Sequence, residues 1–392
     1  MQHDKRPKVA VIANRLGSFG GGERWVCEMA SRLNGELSLN IINPVSGNDT
    51  VRIEDAKLKS LFGFGDAKIT EIKCHGVLYR LQDRIGVVVL FPSLDSLIRL
   101  NRSIAESEVV YEVSFNPFLF FWSFVFARLN GKRFIVGLHN PDFLVGQKLK
   151  GRTMLGSLLQ NIILSLVREI HAQTESQMKL LGECGYKGRV YYIPHYLYFR
   201  IKKKEALSYG SRFEVLLSGR LSVYQKGIDL LEDVVKATLS VDGSVSFTII
   251  GSGEGEKIAE NLQKRYPGNV SYMGFVSEKV LKMRYMRASL FILTSRYETP
   301  GLALLEAQSY GIPAVAFNVI GPKDIMKDRV QGAMVPEFDT GRFSLEIIRF
   351  RKLFGNKKEY RERRARIWAE IRRRYGAGSF ENRFVAMIRK AD

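Results

Sequence analysis

Residues Thr294–Phe317 read TSRYETPGLALLEAQSYGIPAVAF. An apolar run, LFIL, leads into this stretch, and AVAF closes it. Between the two strand-like runs the residues carry helix signals. Pro300 suits a first helical position, where its missing N–H costs nothing. The residue before a proline is pushed out of helical geometry. The spacing therefore predicts a helix over Pro300–Tyr310, with Thr299 as its N-cap and Glu298 in the loop just outside. The unpaired N–H groups of Gly301, Leu302 and Ala303 would then face outward as an anion or hydroxyl site. Gly301 lets a ligand approach the backbone closely. Glu306 follows Pro300 by six residues, about 9 Å along the axis. Two carboxylates so placed match the separation of a sugar from a ribose in one extended ligand, and carboxylate oxygens accept from sugar diols. Two unrelated surface glutamates on an amphipathic helix would give the same E-x7-E spacing. The Pro, the Gly and the flanking strands favour the site.

Outward from this stretch the same strand–helix alternation continues. Towards the N-terminus lie strands at Glu214–Leu217, Val245–Ile250, Val270–Met273 and Leu290–Thr294, and helices at Gly227–Thr238, Lys257–Arg265 and Glu278–Arg287. The pattern breaks at the basic, aperiodic YFRIKKKEALSYGSR, which reads as an inter-domain linker. It resumes upstream with strands at Lys8–Ala13, Leu39–Ile42, Val87–Leu90, Val109–Tyr111, Arg133–Leu138, Glu169–Gln173 and Val190–Ile193. Helices are expected at Glu23–Leu33, Pro117–Leu129, Met154–Leu166 and Ser176–Leu181. Apart from Val87–Leu90, residues 46–106 yield no clear assignment. Such alternation means parallel sheets with helices on both faces, an α/β class. The expected division is 1–198, a linker 199–212, a second domain 213–375, and a terminal helix 376–392 packing back on the first domain. Doubly wound domains bind ligands at the carboxyl ends of their strands, which places the expected site in a cleft between the two.

Four further segments sit at strand ends. SGRLSVYQKGIDLL (Ser218–Leu231) puts Arg220 and Lys226 around a loop before a helix. A guanidinium and an ammonium there can clamp a diphosphate; two solvated surface cations are the plain alternative. GSGEG, starting at Gly251, is a tight turn that can bring a base or phosphate against the backbone, or only a turn. GGGER, containing Gly21 and Gly22, follows the first strand and offers backbone N–H groups. It is not G-x-G-x-x-G, which disfavours a dinucleotide site. His139, in LHNP, ends a strand and faces the expected cleft, unless it is a buried structural histidine.

Composition bounds the class. The chain has 392 residues, too many for one ordinary core. Cys27, Cys74 and Cys184 lie far apart and point to a reducing compartment without a disulfide framework. The five histidines form no ligand pair, so no protein-held metal is expected. Phe115–Phe126 (FNPFLFFWSFVF) is short of the roughly 20 residues of a membrane span and reads as a buried core helix, with interfacial insertion as the lesser reading. The opening MQHDKRPKVAVIAN runs straight from basic residues into a short strand, with no signal-peptide pattern. The net charge is +20, and Arg349–Arg374 alone holds 12 basic and 3 acidic residues. That balance attracts phosphates on a nucleotide, an anionic membrane or nucleic acid, or is a solvated helix face.

In order and spacing, GGGER, LHN, SGRLSVYQKGIDLL, IIGSGEG and SRYETPGLALLEAQSYGIPAVAF resemble glycosyltransferase family 4. That resemblance implies the GT-B fold, two Rossmann-like domains facing across a cleft. It implies a UDP-, GDP- or ADP-sugar donor, held at its diphosphate by Arg220 and Lys226, at its sugar by Glu298 and the Gly301 and Leu302 amides, and at its ribose by Glu306. His139 would lie beside the donor sugar, and Gly21 and Gly22 near the phosphate or acceptor. Glu298-Thr-Pro-Gly stands where the family often has Glu-Gly-x-Gly, and Ile193-Pro194-His195 where it often has Ile-Pro-Asn. The implied reaction is metal-independent hexosyl transfer with retention, with no cofactor, to a glycan or lipid-linked acceptor. A cytoplasmic location, peripheral on the membrane face, goes with it. Two alternatives share the scaffold: an inactive GT-B protein binding an anionic membrane or nucleic acid, although no nucleic-acid motif is recognised, and a sugar-nucleotide epimerase.

Overall fold

The computed structural model describes residues 5–13, 21–46, 66–75, 91–113, 116–139, 162, 165–197, 201–376 and 378–390. The strand expected at Val87–Leu90 and most of the helix expected at Met154–Leu166 lie outside the described residues. The chain forms two compact units, Met1–Pro194 with Gly378–Asp392, and His195–Ala377.

The first unit holds β1 (Lys8–Ile12), β2 (Ser38–Ser46), β3 (Lys68–His75), β4 (Phe91–Pro92), β5 (Val109–Glu112), β6 (Arg133–Gly137), β7 (Glu169–Ala172) and β8 (Arg189–Tyr192). They form one sheet in the order β4-β3-β2-β1-β5-β6-β7-β8. The described pairs are parallel except β3 with β4. VVYE in β5 and EIHA in β7 are buried at every position, as expected of strands covered on both faces. β3 escaped the sequence reading because KITEIKCH buries only Ile72 and Cys74 of the positions described and carries three charges.

Helices α1 (Gly21–Leu33), α2 (Leu94–Ala105), α3 (Pro117–Leu129) and α4 (Glu175–Glu183) connect these strands. α1 begins two residues before the expected Glu23. Gly21 and Gly22 are thus its first residues and not a loop, since a first turn needs no intrahelical partner for its N–H groups. α3 starts at Pro117 as expected, capped by the Asn116 side chain. The expectation of a wholly buried helix is corrected: Leu119, Phe120, Ser123 and Ala127 are buried, while Phe121 is 54% and Leu129 77% exposed. A helix on one face of a sheet buries one stripe only.

The second unit holds β9 (Glu214–Ser218), β10 (Ser246–Ile250), β11 (Val270–Tyr272), β12 (Leu290–Leu293), β13 (Ala314–Phe317) and β14 (Gly332–Val335), all parallel, in the order β11-β10-β9-β12-β13-β14. The chain winds outward from β9 through β10 to β11, then returns to pair β12 on the other side of β9. The order therefore reverses between β9 and β12, and their carboxyl ends diverge into a crevice. Its helices are α5 (Lys203–Ala206), α6 (Val223–Lys226), α7 (Ile228–Val241), α8 (Glu256–Arg265), α9 (Glu278–Arg287), α10 (Leu302–Ser309), α11 (Pro322–Ile325), α12 (Thr340–Gly355) and α13 (Lys357–Tyr375). One core, including Val215, Phe247, Ile292, Phe317, Phe343 and Tyr360, runs through them.

The segment read as a linker is partly ordered into this unit: α5 lies in it, Ile201 is buried, and Ser208 O accepts from Arg364. Arg364 itself is wholly buried and also donates to Ala288 O and Tyr310 O, the carbonyls at the ends of α9 and α10. A last helix, α14 (Ser379–Arg389), belongs to the first unit, where Phe380 and Phe384 pack on Trp25 and Glu381 pairs with Arg32 at 2.8 Å.

Candidate functional site

The end of β9 turns through Gly219 and Arg220 into α6, which Ser222 caps through its hydroxyl. Lys226 is the last residue of α6, so the loop expected around it is a single helical turn. Its Nζ donates to both oxygens of Glu298, at 2.6 and 2.8 Å. Ser295 Oγ donates to the same carboxylate at 2.6 Å. Glu298 is 3% exposed, and three short charge-assisted contacts offset the cost of burying its charge. Arg220 is exposed and donates to Gln225 Oε1 at 2.6 Å. Arg220 and Lys226 line one concavity together with Ser218, Leu221, Thr294 and Ser295. It lies where β9 and β12 diverge.

The backbone holds α6 against the loop after β12. Thr294 Oγ1 donates to Lys226 O, and Arg296 N to Gln225 O, at 3.0 and 2.8 Å. Arg296 also grips both oxygens of Asp229 at 2.8 and 2.7 Å, and these bonds hold the Asp229 carboxyl below the usual carboxylate range.

The helix after Glu298 starts later than expected. Thr299–Pro300 is a cis peptide, Gly301 is the N-cap at φ +92°, and α10 begins at Leu302. Thr299 is therefore not the cap and Pro300 is not the first helical residue. A left-handed φ at Gly301 is incompatible with helix, so the regular turn starts after it. The outward N–H groups become those of Leu302, Ala303 and Leu304. Gly301 remains beside Glu298, whose side-chain carbons lie 3.6 and 3.7 Å from where a Gly301 Cβ would stand, and Leu302 follows it as the first residue of α10.

Glu306 is 8% exposed, so neither glutamate is a surface residue. Tyr285 donates to Glu306 Oε2 at 3.1 Å and bonds Ser218 Oγ at 2.8 Å. Glu306 is thereby tied through one phenol to the end of β9. Gly251 follows β10 at φ +136°, and a Cβ there would stand 1.8 Å from Gly219 O. The fold requires this glycine for the close approach of two strand ends, whatever a ligand adds.

Ser295, Tyr285, Ser218 and Gly321 were missed by sequence reasoning. Ser295 lies three residues before Glu298 and was within reach of the motif. Tyr285 meets Glu306 from 21 residues away, and no local pattern announces that. A Cβ at Gly321 would stand 2.5 Å from Glu298 Cβ, so the glycine after β13 makes room for the glutamate.

In the first unit His139 is half-buried at the end of β6. Its Nε2 lies 3.0 Å from Tyr111 Oη and its Nδ1 2.8 Å from Gln173 Nε2. Trp25 covers its ring at 4.0 Å between centroids. The sites chosen from sequence thus fall into two groups: Gly21, Gly22 and His139 in one unit, and Arg220, Lys226, Gly251, Glu298, Gly301, Leu302 and Glu306 in the other.

Two doubly wound parallel-sheet units of this kind are the GT-B fold. Solved structures bear this out across the whole chain. Anabaena HepE, in complex with UDP and glucose, superposes with TM-score 0.73 at 13% identity over 98% of this chain and 100% of that one. TarM superposes with TM-score 0.75 at 15% identity over 100% of both. Residues 212–352 match the family model described as Glycosyl transferases group 1. That span contains Arg220, Lys226, Gly251, Glu298, Gly301, Leu302 and Glu306. A glycogen synthase of Thermodesulfovibrio yellowstonii is 34% identical over 148 residues, 37% of this chain and 29% of that protein. An uncharacterized 41.2 kDa protein in the cps region of Klebsiella pneumoniae is 32% identical over 150 residues, 38% and 40% of the two chains. The matches to these two relatives thus span less than half of either one's length.

Among the described residues no helix is long and apolar enough to cross a membrane.

Proposed function

We propose that the chain is a retaining glycosyltransferase, moving a hexose-type sugar from a nucleotide-diphosphate sugar to a glycan or lipid-linked acceptor without a metal. The observation that carries this reading is Lys226 held on buried Glu298 beside Arg220, where β9 and β12 diverge. An ammonium has three protons. Two serve Glu298, and the third is available to a phosphate oxygen in the concavity. Glu298 and the Leu302 amide then take hydroxyls of the transferred sugar, and Glu306 takes the ribose.

Breaking the bond between sugar and phosphate leaves charge on the diphosphate. Arg220 and Lys226 stabilise that charge most in the transition state, without reorganising to do so. A departing phosphate oxygen accepts the acceptor's proton on the face it leaves, which retains configuration. A neighbour with the same fold supports the donor class, since HepE is solved with UDP-glucose and with UDP. The match to a group 1 glycosyltransferase model over the half that holds the two cations supports the activity.

The acceptor we propose is anionic, used at the cytoplasmic face of a membrane. α13 supports this, with Lys357, Lys358, Arg361, Arg366 and Arg372 all exposed.

A thermal-shift panel of UDP-, GDP- and ADP-sugars tests the reading. A donor at 100 times its Kd stabilises the native state by about 2.7 kcal/mol. One nucleotide class should raise Tm, and the rise should vanish in Lys226→Ala. No shift with any donor would remove the assignment. Product mass separates transfer from epimerisation, which leaves the mass of the donor unchanged.

A further inference from the structure

The polar cluster behind His139 has a direction. His171 on β7 is wholly buried, with Nε2 2.9 Å from Ile193 O. A carbonyl only accepts, so Nε2 carries the proton. Burial keeps His171 neutral by lowering its pKa to about 4, which leaves Nδ1 as a bare acceptor. Tyr111 Oη lies 2.6 Å from that Nδ1 and donates its one proton there. Burial holds the Tyr111 phenol well above its ordinary pKa, so this proton stays. The same oxygen lies 3.0 Å from His139 Nε2, and with its proton committed it can only accept. His139 Nε2 therefore carries a proton. Gln173 Nε2 lies 2.8 Å from His139 Nδ1 and 3.4 Å from His139 Nε2; an amide N–H only donates, so it serves the unprotonated nitrogen, Nδ1.

We propose that Tyr111 is a positioning residue, which holds His139 in the neutral tautomer protonated on Nε2, so that His139 meets a ligand of its own unit without transferring a proton. The functional half of this statement rests on the glycosyltransferase reading, in which His139 faces a ligand.

The chain is built for the contact. A Cβ at Gly137 would stand 2.3 Å from Tyr111 Oη and 2.8 Å from the His139 ring, so a glycine is needed to let the two meet. His139 N donates to Gly137 O at 2.9 Å, which folds the strand end back and returns the ring over that gap. Among the described residues, Tyr111 on β5 and His171 on β7 are titratable groups whose rings face His139; α1 presents Trp25, and α14 presents Phe384 to Tyr111 and His171. A ring engaged at both nitrogens has no lone pair left for an acceptor hydroxyl. Its reach to a ligand is through its carbon edge and its backbone.

The test uses the full chain labelled with ¹⁵N in its histidine rings, with His139→Gln assigning the signal. His139 should show the neutral Nε2–H pattern, unchanged from about pH 6 to about pH 8, although a free imidazole titrates near 6.5. In Tyr111→Phe the His139 ring should titrate or change tautomer in that window, and Gly137→Ala should do the same. A thermal melt shows whether each variant is folded; if neither is, the wild-type spectrum decides alone. A wild-type His139 that is protonated on Nδ1, or that becomes an imidazolium in this window, overturns the proposal. So does a folded Tyr111→Phe with the wild-type pattern. The spectra need no donor, so absence of donor binding leaves them standing, and a wrong tautomer leaves donor binding standing.

Discussion

Lys226 and Glu298 form a two-toothed ion pair, with Nζ 2.6 and 2.8 Å from the two carboxylate oxygens and the Glu298 side chain 4% exposed. They are 72 residues apart in the chain. β9 and β12, adjacent in the sheet, deliver them to the same point.

Lys226→Ala is expected to lower turnover of the donor by roughly 10²–10³-fold, the loss seen when one preorganised donor to a developing charge is removed. Steady-state rates against a cognate donor check it. Near-normal turnover would take the cation out of the mechanism.

Tyr285→Phe removes the hydroxyl that joins Glu306 to Ser218. With one hydrogen bond to a charged group lost, donor affinity should fall about tenfold. The fold should persist, because the ring stays packed on Tyr310. Calorimetric titration gives the Kd; an unchanged value would mean that Glu306 does not touch the ligand.

Arg364 donates from a wholly buried position to the carbonyls that end α9 and α10 and to Ser208 O. Replacement by Ala strands buried acceptors and opens a cavity, with an expected loss of at least about 3 kcal/mol. Arg364→Lys should recover little, since an ammonium cannot span acceptors that a planar guanidinium fork reaches. Urea midpoints measure both, and full recovery by Lys would reduce the role of Arg364 to its charge.

His171 stays neutral in the native state down to about pH 4, whereas an exposed histidine protonates near 6.5. Between those values the unfolded chain binds more protons than the native one, so stability rises with pH across this window and declines as pH falls through it. The contribution reaches about 3 kcal/mol at the acid end. His171→Gln should flatten the dependence of the urea midpoint between about pH 6.5 and about pH 4.5. Equal slopes in the two proteins would contradict it.

Chelation should leave transfer unchanged if two cations replace a metal at the diphosphate. Turnover measured in excess EDTA checks this, and activity restored only by a divalent ion would reverse it.

Fold class was legible because strands buried on both faces are nearly continuous apolar runs, and LFIL, AVAF and KVAVI stand out in any reading. β3 was not, because Lys68, Glu71 and Lys73 interrupt its apolar residues and only Ile72 and Cys74 of its described positions are buried. The candidate site was legible as a set of residues at strand ends, but not as a geometry. The start of α10 was misplaced because Pro300 carries a first-turn signal that the left-handed Gly301 overrides.

The sequence by itself determined the alternation of elements, the glycines at strand ends, and which cations and carboxylates are candidates, since these follow from local propensity and periodicity. Tertiary structure alone decided that Lys226 closes on Glu298, that Tyr285 holds Glu306, and that Tyr111 stands between two histidines. Those pairings join residues 21 to 72 positions apart. Only the order of strands in a sheet brings such residues within hydrogen-bond distance, and no local pattern encodes that order.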